Sequence, residues 1–287
     1  MERRAAFIAN KYYTDAGMEY VFARLCEEFS ARGVTLEKTN AYASFPFPPP
    51  ACDFAVFWDK DVALARRWEK AGVRLFNSSA AIETCDDKEK TFSALDGCLD
   101  LPATVVAPLV YDISDGTDER FLQHVVSLLG FPVVVKACVG SQGRQVFLAQ
   151  DEAQLRALRK SLMHTPHLYQ RFVRGAEAGA DTRVYVIGGK AIGAAERHNT
   201  TDFRSSVALG GTMQRVALPE SLREQAEKAA AALRLDYGSV DFICEDGNFV
   251  FIEANSAAYM QNAEKLGIAL AAKFAAFVTE TVYGTNG

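Results

Sequence analysis

No CxxC pair occurs in this 287-residue sequence, whose six cysteines stand apart at positions 26, 52, 85, 98, 138 and 244. That scatter excludes a zinc-ligand pattern, and a chain that is 49% hydrophobic has no need of a disulfide framework. A basic surplus is also missing: the net charge of -5 argues against a nucleic-acid backbone as partner. No stretch approaches the roughly 20 apolar residues that a membrane helix requires. The apolar run Ala5–Ala9 is too short for the core of a signal peptide, so the expected location is the cytoplasm, with no membrane partner. Internal repeats and low-complexity segments are absent too. What remains is the composition of a globular protein with one large core or a few small ones.

The first part of the chain alternates between two periodicities. Short apolar runs at Ala5–Ala9, Val34–Leu36, Phe54–Trp58 and Val73–Phe76 predict strands. The three-to-four spacing of apolar residues over Asp15–Ala31 and Val62–Ala71 predicts helices between them. Such alternation implies a small α/β unit with a parallel sheet. The proline-rich Phe45–Pro50 is a connector, because proline continues neither a helix nor a central strand. Short helical stretches follow at Asn77–Ser79 and after Asp86-Asp87-Lys88. Strands are predicted at Thr104–Ala107, Pro132–Ala137, Gln145–Ala149 and His167–Phe172, with helices at Asp118–Leu129 and Asp151–Leu162. That run reads as a separate small α+β lobe. The last third carries strands at Arg183–Ile187, Ala191–Glu196 and Thr212–Val216, and helices at Pro219–Leu235 and Gln261–Val282.

Between those last two helices lies Val240–Asn255, two runs rich in β-branched and aromatic residues around Asp246-Gly247, which predicts a hairpin. Asp241, Glu253 and Asn255 interrupt runs that otherwise look buried, and polar groups there cost stability unless something pairs with them. Glu253 and Asn255, two apart, share a strand face. A two-residue Asp246-Gly247 loop pairs Asp241 with Ile252 and turns the aspartate to the other face. A three-residue Glu245–Gly247 loop with Gly247 left-handed pairs Asp241 with Phe251 and gathers all three oxygens. Two carboxylates and an amide oxygen then form a site for a hard cation, Mg²⁺ or Mn²⁺.

Gly140-Ser141-Gln142-Gly143 lies between two predicted strands, with Lys136 on the strand that leads in. It is not a P-loop, since no Gly-Lys-Ser/Thr follows and a strand comes next. A glycine-bearing tip can still cover phosphate oxygens with backbone N–H groups while Lys136 adds a point charge. Gln170-Arg171-Phe172-Val173 ends the small lobe and can present main-chain groups to a base edge. Arg183, Arg197 and Arg204 fall close together beside the suspected cation site, as binding of phosphate or carboxylate requires. His198, a lone histidine, reads as a surface or packing residue. Lys11-Tyr12-Tyr13, Tyr259 and Gln261 are candidates for substrate recognition by location.

Asp87-Lys88, Lys136, Gly140–Gly143, Gln170–Val173, Asp181-x-Arg183, Glu196-Arg197, Asp202-Phe-Arg-Ser-Ser206, Gly210-Gly211, Asp241 and Glu253-x-Asn255 appear in that order. In this order they resemble the ATP-grasp superfamily, and most of all its RimK-type branch of carboxylate–amine ligases. The likeness is loose over residues 1–85 and close from Asp86 onward. It implies an ATP-grasp fold of mixed α/β and α+β class: a small parallel α/β domain over residues 1–86, then an ATP-grasp domain over 87–287. Within the latter, a lid lobe spans about 102–172 and a catalytic lobe about 173–287. Lys88 and Lys136 would contact the phosphates of ATP, Gly140–Arg144 would close over them, and Gln170–Val173 would frame adenine. Asp181 would hold ribose, with Arg183, Ser205 and Ser206 also at the nucleotide. Asp241, Glu253 and Asn255 would hold one or two Mg²⁺ ions. Arg197, Arg204 and Lys136 would carry catalysis, the arginines binding the γ-phosphate, the substrate carboxylate or the acyl-phosphate. The partners implied are an amino acid and a carboxylate, the latter a small molecule or a peptide tail, and a homo-oligomer stays open. Three departures stand out: Ser256-Ala257-Ala258 where the family has Ser-Pro-Gly, Ser206 where it has asparagine, and a shorter hairpin. A small-molecule kinase and a nucleotide-binding regulator without turnover are the alternative readings.

Overall fold

The computed structural model describes residues 2–284 apart from 11, 13–14, 41–47, 112–116, 141–142, 176 and 178, so Lys11, Tyr13, Ser141 and Gln142 lie outside the described residues. The chain opens with β1 (Arg3–Ala9), α1 (Ala16–Ser30), β2 (Val34–Asn40), β3 (Phe54–Trp58), α2 (Val62–Lys70) and β4 (Arg74–Phe76). These strands form a parallel sheet in the order β2-β1-β3-β4. All of β3 is buried, which accounts for its unbroken apolar sequence: helices cover both faces of a parallel sheet. Asp15 and Asp61 cap α1 and α2 by accepting the N–H groups of Met18 and Leu64.

Two helices, α3 (Ser79–Cys85) and α4 (Lys88–Leu95), lead to the lid lobe. There β5 (Thr104–Val106), β6 (Val133–Ala137), β7 (Val146–Ala149) and β8 (His167–Arg171) pair antiparallel in the order β5-β8-β6-β7. The helices α5 (Thr117–Leu129) and α6 (Glu152–Leu162) cover one face around Leu122, Val125, Leu155 and Tyr169. The remaining lobe is built on β9 (Ala180–Ile187), β10 (Lys190–His198), β11 (Thr212–Val216), β12 (Tyr237–Glu245) and β13 (Asn248–Asn255), all antiparallel in the order β11-β10-β9-β12-β13. Among the described residues, no helix is long and apolar enough to cross a membrane.

One face of this sheet packs Val184, Val240, Phe242 and Phe251 under α4 and α7 (Glu220–Ala232). The other face divides. Its far end, with Tyr185, Ile187 and Tyr237, joins the core of the N-terminal sheet, where Trp58 lies 5.1 Å from Tyr237 and Tyr237 lies 5.1 Å from Phe274, ring centre to ring centre. Its near end is polar and faces the lid. Asn77 secures the junction: its carboxamide donates to the carbonyls of Tyr237 and Ser256 at 2.8 and 2.7 Å and accepts from the N–H groups of Asp236 and Tyr237.

Two sequence expectations change. Gln261–Val282 is not one helix but α8 (Gln261–Lys265) and α9 (Leu270–Tyr283). Gly267, at φ 76°, turns the chain between them, and the Ile268 N–H reaches back to the Ala263 carbonyl. β9 and β10 also extend beyond the predicted spans, to Ala180 and His198. Pairing with neighbouring strands holds these polar ends extended, an effect that apolar periodicity does not register.

Candidate active site

The hairpin that carries the suspected cation ligands closes with two turn residues, Asp246 at φ 52° and Gly247 at φ 84°, between the paired Glu245 and Asn248. This corrects the expected three-residue loop and the pairing of Asp241 with Phe251. With Phe242 opposite Phe251, the register then shifts so that Asp241 faces Glu253, with Ile252 as the extra residue. A β-bulge therefore does what the loop was expected to do: it returns Asp241, Glu253 and Asn255 to one face. The bulge works because inserting one residue reverses the alternation of everything beyond it.

Four strands contribute charge to that face. Arg197 on β10 stands opposite Asp181 on β9, Arg183 on β9 opposite Asp241 on β12, and Asp241 opposite Glu253 on β13. Arg183 grips Asp241 with two hydrogen bonds of 2.8 and 2.7 Å. Arg197 donates to Asp181 through both Nε and Nη2 and to Asp241 Oδ2 at 2.8 Å. Ser205 Oγ also donates to Asp181. Burial pushes the Asp241 carboxyl up, but the charges and hydrogen bonds of Arg183 and Arg197 outweigh it and hold it below the ordinary carboxylate value. Asp181, expected at a ribose, is here the partner that orients Arg197.

Lys88 and Lys136 approach the same place from the lid side. The start of α4 is tied to the exit of β6 by a hydrogen bond from the Lys88 N–H to the Cys138 carbonyl. Lys88 Nζ then lies 3.3 Å from the Gly140 carbonyl and 3.4 Å from Glu253. Lys136 is buried, and its Nζ donates to Gln170 Oε1 at 2.7 Å. Burial pushes its ammonium down to about 8; Glu253 opposes this and Lys88 adds to it. Arg171 forms a two-bonded pair with Glu245, joining the end of the lid to the hairpin.

Arg204 is occupied by its neighbours. It pairs with Asp202 and donates to the carbonyls of Gly143 and Val146 at 2.6 and 3.2 Å, tying the glycine loop to the segment after β10. That segment needs Gly179, which the sequence reading missed. A Cβ there would lie 2.3 Å from the Asn199 carbonyl oxygen, and φ is 74°. A glycine directly before a strand, two residues ahead of the acid Asp181, was the available signal.

Together these groups wall a cleft of about 910 Å³ between the lid sheet and the large sheet. Val134 and Val146 line it on the lid side, Ile243 and Ile252 on the hairpin, and Phe172 and Val173 at the connection, an apolar slot beside the charged face. Gly143, Ser205, Ser206, Glu253 and Asn255 also line it, whereas the fully buried Asp241 sits behind Glu253. No cysteine lines it among the described residues. His198 lies 3.6 Å from Glu177, apart from the arginines. Tyr12 is exposed, while Tyr259 and Gln261 line the cleft and the Tyr259 hydroxyl donates to Asp15 at 2.8 Å. Trp58 and Asp59, which no sequence motif singled out, complete the wall.

Residues 99–278 match the model of the RimK-like ATP-grasp domain. The chain is 35% identical over 203 residues to N-acetylaspartylglutamate synthase A of Homo sapiens, covering 69% of this chain and 50% of that protein. It is 34% identical, with the same coverage, to human beta-citrylglutamate synthase B. The chain thus spans about half the length of these curated relatives. The crystal structure of a RimK domain ATP-grasp protein from Sphaerobacter thermophilus superposes with a TM-score of 0.73 at 20% identity, over 96% of this chain and 98% of that one. A domain match over most of the chain and a shared three-part architecture lead to one conclusion: the chain belongs to the RimK-like ATP-grasp family.

Proposed function

We propose that the protein is an ATP-dependent, ADP-forming carboxylate–amine ligase that joins an amino acid to a small-molecule or peptide partner in the cytoplasm. The observation that carries this reading is the convergence of Lys88, Lys136, Arg197, Glu253 and Asn255 between two antiparallel sheets, beside an apolar slot lined by Val134, Val146, Ile243 and Ile252. The names of the two human relatives both contain glutamate, which makes glutamate the first amine to try.

The donor set fits a divalent cation. Glu253 and Asn255 present oxygens at the cleft wall, and the Asn255 amide nitrogen is buried without a partner among the described residues. Asp241 already accepts three N–H bonds, which leaves one of about four lone-pair positions on its two oxygens. The set is all oxygen, as Mg²⁺ prefers. When bound, ATP and its metal supply an electrophilic γ-phosphoryl group, which a substrate carboxylate takes up as an acyl-phosphate and an amine then displaces to give the amide and phosphate.

The chain's own residues provide the setting. Lys88 and Lys136 offset phosphate charge from the lid side, and Arg197, held in place by Asp181, does so from the sheet. Arg204 holds Gly143 at the cleft wall through its carbonyl, helping to exclude water from an intermediate that water would hydrolyse. Burial lowers the Lys136 ammonium to about 8, so near neutral pH it is still mostly charged, and anionic phosphate favours that charged form.

Release of ADP from ATP and Mg²⁺ is to be measured across acid and amine pairs, with glutamate included. A ligase needs both partners and yields inorganic phosphate in proportion to amine. Phosphate retained on an alcohol acceptor would mean a kinase, and ATP binding without turnover across the panel would mean a regulator.

A further inference from the structure

The parallel sheet has a place that the ligase reading leaves unused. In the order β2-β1-β3-β4, the chain leaves β1 toward one side and returns to add β3 on the other. The crevice beyond the carboxyl ends of β1 and β3 is therefore a topological switch point, where open α/β sheets bind ligands. Ala9 and Trp58 end these paired strands, and the residues that follow, Asn10 and Asp59, both line the cleft.

The polar groups at this end differ in how they are satisfied. Asp15 caps α1 and accepts from Tyr259, and Asp86 pairs with Lys60 at 3.2 Å and accepts from Ser256 at 2.8 Å. Asp59 is 8% exposed; one oxygen accepts from the Asp61 N–H at 2.8 Å, with Asn10 beside it. Its other oxygen is buried with no hydrogen-bond partner among the described residues. The indole N–H of Trp58, 4% exposed, is likewise buried and unpartnered. An unmet carboxylate oxygen and an unmet donor on adjacent residues each cost stability until a ligand supplies the missing partner. The surroundings set the sign of that ligand. Among the described residues, Asp15, Asp59 and Asp86 meet one cation, Lys60, whereas the phosphate side of the cleft is basic.

We propose that Asp59 and Trp58 form the recognition site for the ammonium-bearing end of the amino-acid substrate, which rests on the ligase reading. Asp59 accepts from the ammonium and the Trp58 indole donates to an oxygen of the same molecule. The selected substrate is thus an amino acid rather than the corresponding deaminated acid.

The test uses the full chain with Trp68→Phe, which leaves Trp58 as its one tryptophan, since the sequence has two. Indole emission is followed while the twenty amino acids and their deaminated counterparts are titrated in, with and without ATP and Mg²⁺. At least one amino acid should shift the emission, with its deaminated counterpart about tenfold or more weaker, as expected for loss of a charged hydrogen bond. Asp59→Asn should erase that discrimination, raise KM for the amino acid about tenfold and leave ATP affinity near wild type. A deaminated acid that binds as well, an unchanged KM in Asp59→Asn, or no emission response to any amino acid would overturn the proposal. Should the variant not fold, the comparison of ligands on the parent chain decides alone. Failure of the ligase reading looks different: no ADP release, with the amino-acid response intact.

Discussion

The two ends of the cleft are built on opposite terms. On the large sheet, Arg197, Asp181 and Asp241 are buried and Arg183 is half-buried, and the four satisfy one another through a closed set of hydrogen bonds. At the switch point of the small sheet, Asp59 and Trp58 are just as buried, yet each keeps an atom without a partner among the described residues. A closed network is rigid before any ligand arrives, which suits a step in which charge must be stabilised without reorganisation. An open pair is completed only by a ligand of matching chemistry, which suits selection. The same cleft thus separates the reaction from the choice of reactant.

The largest expected effect comes from opening the closed end. Asp241→Ala would leave the buried Arg197 and the half-buried Arg183 without their shared carboxylate. We expect a loss of about 3–5 kcal/mol in stability by denaturant titration, together with loss of ADP release. Unchanged stability would show that the network is not closed. Glu253→Gln lies at the same end but on the cleft wall, so it should keep the fold while lowering ADP release roughly hundredfold or more. Activity near wild type there would remove the cation assignment.

Lys136 sharpens the contrast through pH. Its folded value of about 8 lies below the ordinary 10.5. Between the two, the unfolded chain holds a proton that the folded chain does not, so this group makes stability rise with pH across that window. Below it, both states are protonated and the cost of burying the charge is fully present. Phosphate binding favours the charged form, so ATP affinity should fall by up to about tenfold between pH 7 and pH 9. Calorimetric titration with wild type and Lys136→Met checks this: the variant should bind ATP more weakly at both values and lose the dependence. The smallest effect belongs to the open end. Burial raises the Asp59 carboxyl, so removing its charge near neutral pH removes a penalty. Asp59→Asn should therefore melt at or slightly above the wild-type temperature. Marked destabilisation would mean that the second oxygen of Asp59 has a partner after all, and the contrast between the two ends would fail.

Much of this site was readable because its parts are local. A five-residue apolar strand or an Asp-Gly turn between β-rich runs depends on a few neighbours, and Phe54–Trp58 and Asp246-Gly247 behave as such patterns demand. Lys136 and Glu253 were legible because charge inside an apolar run costs too much to be accidental, whereas Lys88 was legible only through the order of the motifs. Asp59 was not, since an acid just after a strand is ordinary until the strand is known to border a switch point. Gly179 escaped for the same reason, its crowding coming from Asn199 and Asp202 across a loop.

By itself, then, the amino-acid order determined the elements, their alternation, the hairpin and the train of charged residues that marks the family. Tertiary structure alone decided which charges pair. Arg183 and Asp241 are 58 residues apart and meet only through the register of β9 on β12, and Asp241 meets Glu253 only because Ile252 bulges. Backbone preferences act over a few residues, whereas strand register emerges from the packing of whole faces. A shift of one position would have turned every one of these side chains away from the cleft.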